Sequence, residues 1–473
     1  MKICLATAAA LLAIPAAAQA DPSEAAFRAL YKELVETNTT LSAGDCTKAA
    51  TQVAARLKAA GYPEADVQVL VDPAHPREGN LVAVLPGKNP KLKPILMLAH
   101  IDVVEAKRED WTRDPFTLIE ENGVFYGRGV ADDKVQAAIF SDTMIRLKSQ
   151  QSAPGVRGQE GQLKRTVKLV LTCGEESSGA FNGAEWLAKT HRDLIDAEFA
   201  LNEGGGGRLK PDGSPEALAM QVGEKHPQDF TLLATNPGGH SSRPVPDNAI
   251  YSLAGALKSV QAAPFAPVLN ETTKGFFRQM AATATPDMAA AMLAIAANPA
   301  DAAAAAKLST DPTFSAMLRT TCVATMVNAG HALNALPQRA TANINCRIIP
   351  GETVAGTKAA LEKAINDPAV SVTALPARNS LAKQPPMSER VMKPARDLGV
   401  KYFGKVPFIP TMSTGATDGP FLAAVGIPVY GVPGILHYAE GSRAHGLNEN
   451  IPVHSVMQGR AYLLDLLKAY ANE

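Results

Sequence analysis

Early in the sequence stands the run Ile95-Leu96-Met97-Leu98-Ala99-His100-Ile101-Asp102, in which apolar residues lead directly into a histidine and a carboxylate. A short apolar run bounded by polar and turn residues indicates a buried strand of an α/β sheet. Ligands of such sheets collect beyond the carboxyl ends of the strands, where His100 lies. Because residues i and i+2 of an extended segment share a face, Asp102 can reach the His100 imidazole. Such a carboxylate commonly supports a metal-binding histidine.

Two further strand-like runs also end in acidic residues. Val167–Thr172 leads into Cys173-Gly174-Glu175-Glu176, and Phe199–Leu201 leads into Asn202-Glu203. Alternation of such runs with helical patterns predicts an α/β fold with a mixed, mostly parallel sheet. Its carboxyl ends would lie side by side, and this convergence is the main argument for a functional site.

Composition bounds the class of protein. The chain has 473 residues, of which 46% are hydrophobic and 19% charged, enough for two or three domains. Lys+Arg and Asp+Glu both number 46, so the formal net charge is zero. A neutral chain has no electrostatic footprint for nucleic acid or an anionic membrane surface, and we expect small substrates and no nucleic-acid partner.

The N-terminus is typical of a secretory signal peptide over residues 1–20. Lys2 precedes an alanine- and leucine-rich segment, and Ala18-Gln19-Ala20 is a small-residue cleavage site before Asp21. The segment is too short to be a membrane anchor. We therefore expect an exported protein, periplasmic or secreted.

Four cysteines follow the predicted cleavage point, namely Cys46, Cys173, Cys322 and Cys346. Export permits disulfides, but four cysteines in so long a chain do not make a disulfide framework. Cys322 and Cys346 lie in two strand-like runs that could be neighbours. We expect them to be buried small side chains, with a bridge as the alternative.

The predicted domain order is discontinuous. Residues 21–223 form the first part of a catalytic domain, and α/β texture resumes over 379–473. Between them, residues 224–378 show the strand-helix-strand-strand-helix-strand order of a ferredoxin-like domain. An alanine-rich helical insertion occupies about 264–318 of this smaller domain.

Histidines and carboxylates at strand ends and a helix start form the candidate site: His100, Asp132, Glu175, Glu176, Glu203 and His445. This donor set suits zinc in a catalytic, water-holding site. An excess of carboxylates over histidines favours two metals that share a bridging carboxylate. His437 is the alternative to His445, and helix capping is the alternative role of Asp132.

The sequence resembles the di-zinc metallopeptidases that include carboxypeptidase S, carboxypeptidase G, the aminoacylases and succinyl-diaminopimelate desuccinylase. The carboxypeptidase S-like branch matches best, because it shares the sequence motifs His-Ile-Asp-Val-Val and Asp-Asp-Lys. The motifs, in the family's order, are Leu98–Val104, Tyr126–Lys134, Thr172–Glu176, Gly238–Ser242, Arg347–Gly351, Gly415–Asp418 and His445–Glu449.

The resemblance implies two Zn²⁺ per chain, with Co²⁺ or Mn²⁺ as substitutes. His100 and Glu203 would bind one ion, Glu176 and His445 the other, and Asp132 both. Glu175 would be the general base that takes a proton from a metal-bridging water, and Asp102 would orient His100.

Residues of the smaller domain would complete the site. His240 would reach the active site of a partner subunit in a homodimer and polarise the scissile carbonyl. Arg347 and Asn334 would bind the substrate carboxylate, and Gly415 would lie beside the substrate.

The resemblance therefore implies a zinc-dependent hydrolase that cleaves the amide bond next to a C-terminal amino acid, in a peptide or an N-acyl amino acid. Two alternatives remain, an aminopeptidase of related fold and a metal-free binding-protein relative. Arg347 favours carboxylate recognition over recognition of a free amino terminus.

Overall fold

The structure is a computed structural model that describes residues 22–152, 161–177, 180–377 and 383–473. The predicted signal peptide, residues 1–20, lies outside the described residues, as do residues 379–382 at the predicted return to the catalytic domain. Within the described ranges, no helix combines the length and apolar character that a membrane crossing requires.

The strands, in chain order, are β1 (Val67–Leu70), β2 (Asn80–Leu85), β3 (Ile95–His100), β4 (Ile119–Glu121), β5 (Val124–Tyr126), β6 (Val167–Thr172), β7 (Phe199–Asn202), β8 (Gly206–Leu209), β9 (Pro215–Glu224), β10 (His226–Thr235), β11 (Gly239–His240), β12 (Thr321–Ala329), β13 (Ala335–Leu336), β14 (Arg339–Ile348), β15 (Val370–Ala374), β16 (Phe408–Ser413), β17 (Val429–Gly431), β18 (Leu436–His437) and β19 (Asn450–Pro452).

The helices are α1 (Pro22–Glu36), α2 (Cys46–Ala59), α3 (Lys134–Gln151), α4 (Gly183–Thr190), α5 (Arg192–Ile195), α6 (Ala249–Ala262), α7 (Glu271–Met280), α8 (Pro286–Ala297), α9 (Ala302–Leu308), α10 (Pro312–Leu318), α11 (Val354–Ile365), α12 (Glu389–Phe403), α13 (Gly419–Ala424) and α14 (Val453–Asn472).

The larger sheet has the strand order β1-β2-β6-β3-β7-β17-β9-β8-β18, and β16 pairs with β9. Strand β3 lies between β6 and β7 and is parallel to both. Antiparallel pairs such as β1 with β2 and β8 with β9 flank this parallel centre. The prediction of a mixed, mostly parallel sheet is confirmed, as is the side-by-side placement of the three strand ends.

The apolar run of β3 is continuous because helices cover both faces of the sheet. Ile95, Met97 and Ala99 pack in a core with residues of α1, α2, α3 and α14. Leu96 and Leu98 point to the opposite side, into a core with residues of α4 and α13. A strand buried on both faces has no solvent-facing side that would favour polar alternation.

The smaller sheet is antiparallel, with the order β12-β14-β10-β15. Its chain order β10-α6-β12-β14-α11-β15 is the predicted ferredoxin-like order. Helices α6 and α11 contribute Leu253, Ala256, Leu361 and Ile365 to the core on one face of this sheet. The fold class, a catalytic α/β unit interrupted by a smaller α+β unit, is therefore confirmed.

The alanine-rich insertion forms α7 to α10, and these helices pack partly against the larger sheet. Phe277, Met292 and Leu308 share a core with Ile409 and Met412 of β16. The insertion thus packs against β9 and β16 of the larger sheet, although the chain enters it after α6 of the smaller unit.

The expectation of buried free cysteines is wrong. Cys322 and Cys346 form a disulfide with a Cα–Cα distance of 4.0 Å, because they are register partners on adjacent strands β12 and β14. Cys46 and Cys173 form a second disulfide across 127 residues of sequence. This second pairing depends on the packing of α2 beside the end of β6, which spacing alone does not reveal.

Candidate active site

The first group of candidate ligands lies at the carboxyl ends of β3 and β7. His100, Asp132 and Glu203 each offer an atom within 4.8 Å of the others. The Nε2 atom of His100 lies 3.1 Å from Oδ1 of Asp132 and 3.8 Å from Oε1 of Glu203. The His100 side chain is buried, so these two carboxylates are what its Nε2 faces.

The second group shares Asp132 and adds Glu176 and His445. The Nε2 atom of His445 lies 3.2 Å from Oδ2 of Asp132 and 2.9 Å from a carboxylate oxygen of Glu176. Asp132 therefore presents one oxygen to each histidine, which is the arrangement a bridging ligand requires. Among the described residues that could hold a metal, His437 belongs to neither group.

Asp132 lies in the turn before α3, and no helix-capping hydrogen bond accounts for the acidic pair there. Helix α3 begins at Lys134, and the preceding Asp133 makes no side-chain cap. The side chain of Asp132 instead contacts the two histidines.

Glu175 and Asp102 flank the first group. Glu175 can itself join His100 and Glu176 in a third candidate set. The Nδ1 atom of His100 lies 3.1 Å from the backbone carbonyl of Asp102 and 3.6 Å from its carboxylate. That carboxylate accepts hydrogen bonds from the backbone N–H groups of Glu175 (3.3 Å) and Glu176 (3.0 Å). Asp102 thus links His100 to the acidic turn.

The site carries an excess of buried negative charge. Burial raises the pKa of Glu175 to about 9, with Asp418, Glu176 and Asp102 adding to the effect. Burial likewise raises the pKa of Glu203 well above its ordinary value. Hydrogen bonds to Asp132 and Glu176 raise the pKa of His445 to about 10. A site that stabilises protons this strongly also attracts divalent cations, and its oxygen and imidazole donors fit zinc.

Glu449 supports the candidate ligands, although the sequence predicted no role for it beyond its place in the motif His445–Glu449. Its buried carboxylate accepts hydrogen bonds from the backbone N–H groups of Gly129 (3.0 Å), Ala131 (2.9 Å) and Asp132 (3.0 Å). Arg128 donates to the same carboxylate at 2.7 Å. Since Glu449 follows His445 closely in sequence, it ties the His445 loop to the backbone of Asp132.

The structure places His240 and Asn334 together on the smaller unit. Strand β11 pairs with β13, and the N–H of Ser241 donates to the carbonyl of Asn334 at 3.0 Å. The Nδ1 atom of His240 accepts a hydrogen bond from the N–H of Ser242 at 3.1 Å, so a neutral ring carries its proton on Nε2. Both side chains are exposed, and neither belongs to the groups of candidate ligands among the described residues.

Arg347 and Gly415 occupy two further places. Arg347 lies on β14, where its Nε donates to Oδ1 of Asn345 at 3.3 Å. Burial lowers the pKa of Lys225 to about 7, and the nearby charges of Arg347 and Arg319 lower it further against the opposing effect of Glu352. Gly415 is exposed in the loop after β16.

The profile of Peptidase family M20/M25/M40 matches residues 96–469, which span both groups of candidate ligands and most of the described chain. The chain belongs to this family. Its members are metal-dependent peptidases and related hydrolases, and the chain is accordingly a hydrolase of Peptidase family M20/M25/M40.

Two relatives illustrate the range of this peptidase family. The N-fatty-acyl-amino acid synthase/hydrolase PM20D1 of Homo sapiens is 27% identical over 390 residues, which cover 81% of this chain and 75% of the relative. The probable carboxypeptidase S-like 2 of Dictyostelium discoideum is 28% identical over 393 residues, covering 81% and 72%.

Solved structures share the fold. The M20 family metallo-carboxypeptidase Sso-CP2 from Sulfolobus solfataricus has a TM-score of 0.65 at 19% identity, covering 95% of this chain and 99% of its own. Human carnosine dipeptidase 1 has a TM-score of 0.60 at 14% identity, covering 95% and 97%.

The shared position of Asp132 predicts unequal losses of metal on substitution. We expect Asp132→Asn to lose more bound metal than Glu203→Gln, because Asp132 belongs to both groups and Glu203 to one. Metal per chain, measured by plasma mass spectrometry after dialysis against zinc buffer, checks this. Asp110→Asn, an exposed acid outside the groups, is the control. Equal losses from the two site variants would contradict a bridging position.

Proposed function

We propose that this hydrolase releases a C-terminal amino acid by cleaving its amide bond to a peptide or an N-acyl group. The observation that carries the proposal is the pair of ligand groups that share Asp132, with Glu175 beside them. The names of the human and Dictyostelium relatives, an N-fatty-acyl-amino acid hydrolase and a carboxypeptidase S-like protein, support this substrate class.

His100, Asp132 and Glu203 would hold one Zn²⁺, and Asp132, Glu176 and His445 the other. Metal ions held by these residues would supply Lewis acidity that activates a water molecule and polarises the scissile carbonyl. The chain's own part begins with Asp102, which keeps the Nε2 of His100 aimed at the site.

Glu175 is placed to move the proton. It lies three residues after the end of β6, next to the candidate ligand Glu176, and belongs to the set that includes His100. We infer that bound metal ions, whose positive charge favours its ionised form, allow the Glu175 carboxylate to accept a proton from the attacking water and return it to the leaving amine. Such a general base contributes about 10²- to 10⁴-fold to the rate.

Arg347 is our candidate for binding the substrate carboxylate. Its planar guanidinium can donate two parallel hydrogen bonds to a carboxylate. A free amino terminus would be repelled there, which supports a carboxypeptidase or aminoacylase over an aminopeptidase.

We further infer a homodimer formed through the smaller sheet. Its edge strand β12 exposes Val323 (59%), Met326 (71%) and Val327 (61%), an apolar row that a second chain can cover. In this arrangement His240 of one subunit would donate its Nε2–H to the scissile carbonyl held by the other subunit.

Export to the periplasm or medium is also part of the proposal. It rests on the signal-peptide pattern of residues 1–20. The two disulfides support it, because such bonds persist in oxidising compartments.

The decisive experiment incubates the chain from Asp21 onward with dipeptides, tripeptides and N-acyl amino acids. Aminopeptidase substrates, which have a free amino group and a leaving group on the carboxyl carbon, are included. Each reaction is run with and without a chelator. We expect mass spectrometry to detect a free C-terminal amino acid, released only without chelator. Cleavage of the aminopeptidase substrates alone would contradict the proposal that the site binds the carboxylate of a C-terminal amino acid. Zinc-free protein with no turnover would favour the binding-protein alternative.

Substitution of the base should separate chemistry from metal binding. We expect Glu175→Gln to keep its zinc and lose about 10²- to 10⁴-fold in kcat, because the amide cannot accept the proton. Steady-state kinetics and metal analysis on the same sample check this. Near-normal kcat would remove Glu175 from the role of base.

Subunit exchange tests the place of His240. His240→Ala alone should lose about 10²- to 10³-fold in kcat, as for removal of one oxyanion donor. Co-expression with Glu175→Gln, followed by purification on two different tags, yields mixed dimers. These should regain activity. The site of the His240→Ala subunit keeps its own Glu175 and receives the intact His240 of the Glu175→Gln subunit. Inactive mixed dimers would place His240 in its own chain's site.

A further inference from the structure

The Cys46–Cys173 disulfide lies beside the acidic turn that carries Glu175. Cys46 is the first residue of α2, and Cys173 follows β6 directly, two residues before Glu175. Both cysteines are buried, with 2% and 4% of their surface exposed. The bond therefore joins the α1–α2 side of the domain to the turn that leads into the site.

The turn depends on several contacts at its start. The N–H of Cys173 donates to the Asn80 side chain at 3.0 Å, and its carbonyl accepts from the N–H of Gly183 at 2.7 Å. Gly174 has a φ of +96°, and a Cβ there would lie 2.0 Å from the carbonyl oxygen of Phe181. The chain is thus bent sharply between the disulfide and Glu175.

The other end of the disulfide is tied to the strand end that carries His100 and Asp102. Thr39, in the segment before α2, donates its hydroxyl to the carbonyl of Ile101 at 2.7 Å. The N–H of Val103 donates back to the carbonyl of Thr39 at 3.3 Å. The segment that leads into Cys46 is therefore hydrogen-bonded, through Thr39, to both neighbours of Asp102.

These contacts close a ring around Asp102. From Asp102 the ring passes through its hydrogen bond to Glu175, then through Cys173 and the disulfide to Cys46, and back through Thr39. The disulfide is the covalent link between its two halves. A narrow cleft lined by Gly44, Cys46, Asp102 and Cys173 adjoins the ring.

Glu175 depends on this ring more than its neighbour does. Glu176 is also anchored through its side chain, which contacts His445 at 2.9 Å, and its backbone hydrogen bond to Asp102 is 3.0 Å long. The corresponding bond from the N–H of Glu175 is longer, at 3.3 Å.

We propose that the Cys46–Cys173 disulfide positions the Glu175 carboxylate for proton transfer by holding its turn against the strand end that carries Asp102. This inference rests on the proposed role of Glu175. The disulfide acts as a positioning element, because neither cysteine belongs to the groups of candidate ligands among the described residues.

The test compares two double variants of the chain from Asp21 onward. Cys46→Ala/Cys173→Ala removes the proposed positioning bond, and Cys322→Ala/Cys346→Ala removes the disulfide of the smaller sheet as a matched control. Both are assayed for kcat, KM, bound metal and thermal unfolding, at a temperature where each is folded. If the first variant does not fold, Cys46→Val/Cys173→Ala replaces it, because it refills the space without a covalent bond.

We expect the Cys46/Cys173 variant to lose about 10- to 100-fold in kcat, the usual effect of a small misplacement of a catalytic group. KM and bound metal should stay near wild type, since binding groups are unaffected. The control should keep its kcat. An unchanged kcat in the first variant, an equal loss in the control, or a loss explained by missing metal would each overturn the proposal.

Hydrogen exchange provides a readout that does not depend on substrate. Amides in peptides covering 173–177 should exchange faster in the Cys46/Cys173 variant than in the control. Unchanged exchange there would overturn the proposal even if wild-type chain released no amino acid. Failure of wild-type turnover alone would instead count against the proposed function, so the two failures are distinguishable.

Discussion

The parallel register of β6, β3 and β7 is the constraint on which the site depends. His100 of β3 pairs with Thr172 of β6, so the acidic turn after β6 begins where the histidine ends its strand. Strand β7 lies on the other side of β3 and delivers Glu203. Helices on both faces bury this centre, so a shift of register would move the polar residues that end these strands toward the apolar core.

Several carboxylates meet at this edge of the sheet, and their mutual repulsion must be offset. Hydrogen bonds from backbone N–H groups do part of this work, because Asp102 and Glu449 each accept from neighbouring amides. The two histidines face the remaining carboxylate oxygens. The site is therefore a preorganised concentration of negative charge, which suits divalent cations and adds to the effect of burial in raising the pKa of Glu175.

Much of this arrangement follows from local pattern. Apolar runs ending in His100, Glu175-Glu176 and Glu203 predicted both the sheet and the convergence of these residues, because parallel strands in one sheet end at a common edge. The role of His445 as a ligand was predicted from its motif alone, because it lies in a loop where hydrophobic periodicity gives no information. The support from Glu449 could have been suspected from the same motif, but its four donors come from a segment more than three hundred residues earlier.

The sequence by itself determined the α/β class, the interrupting ferredoxin-like unit and the chemical types gathered for a metal site, because these depend on periodicity and on residues at element ends. Tertiary structure decided which cysteines pair, where the insertion packs, and how Asp102 divides its contacts between His100 and the acidic turn. These depend on distances between segments far apart in the chain, which packing of the whole core sets and no local pattern records.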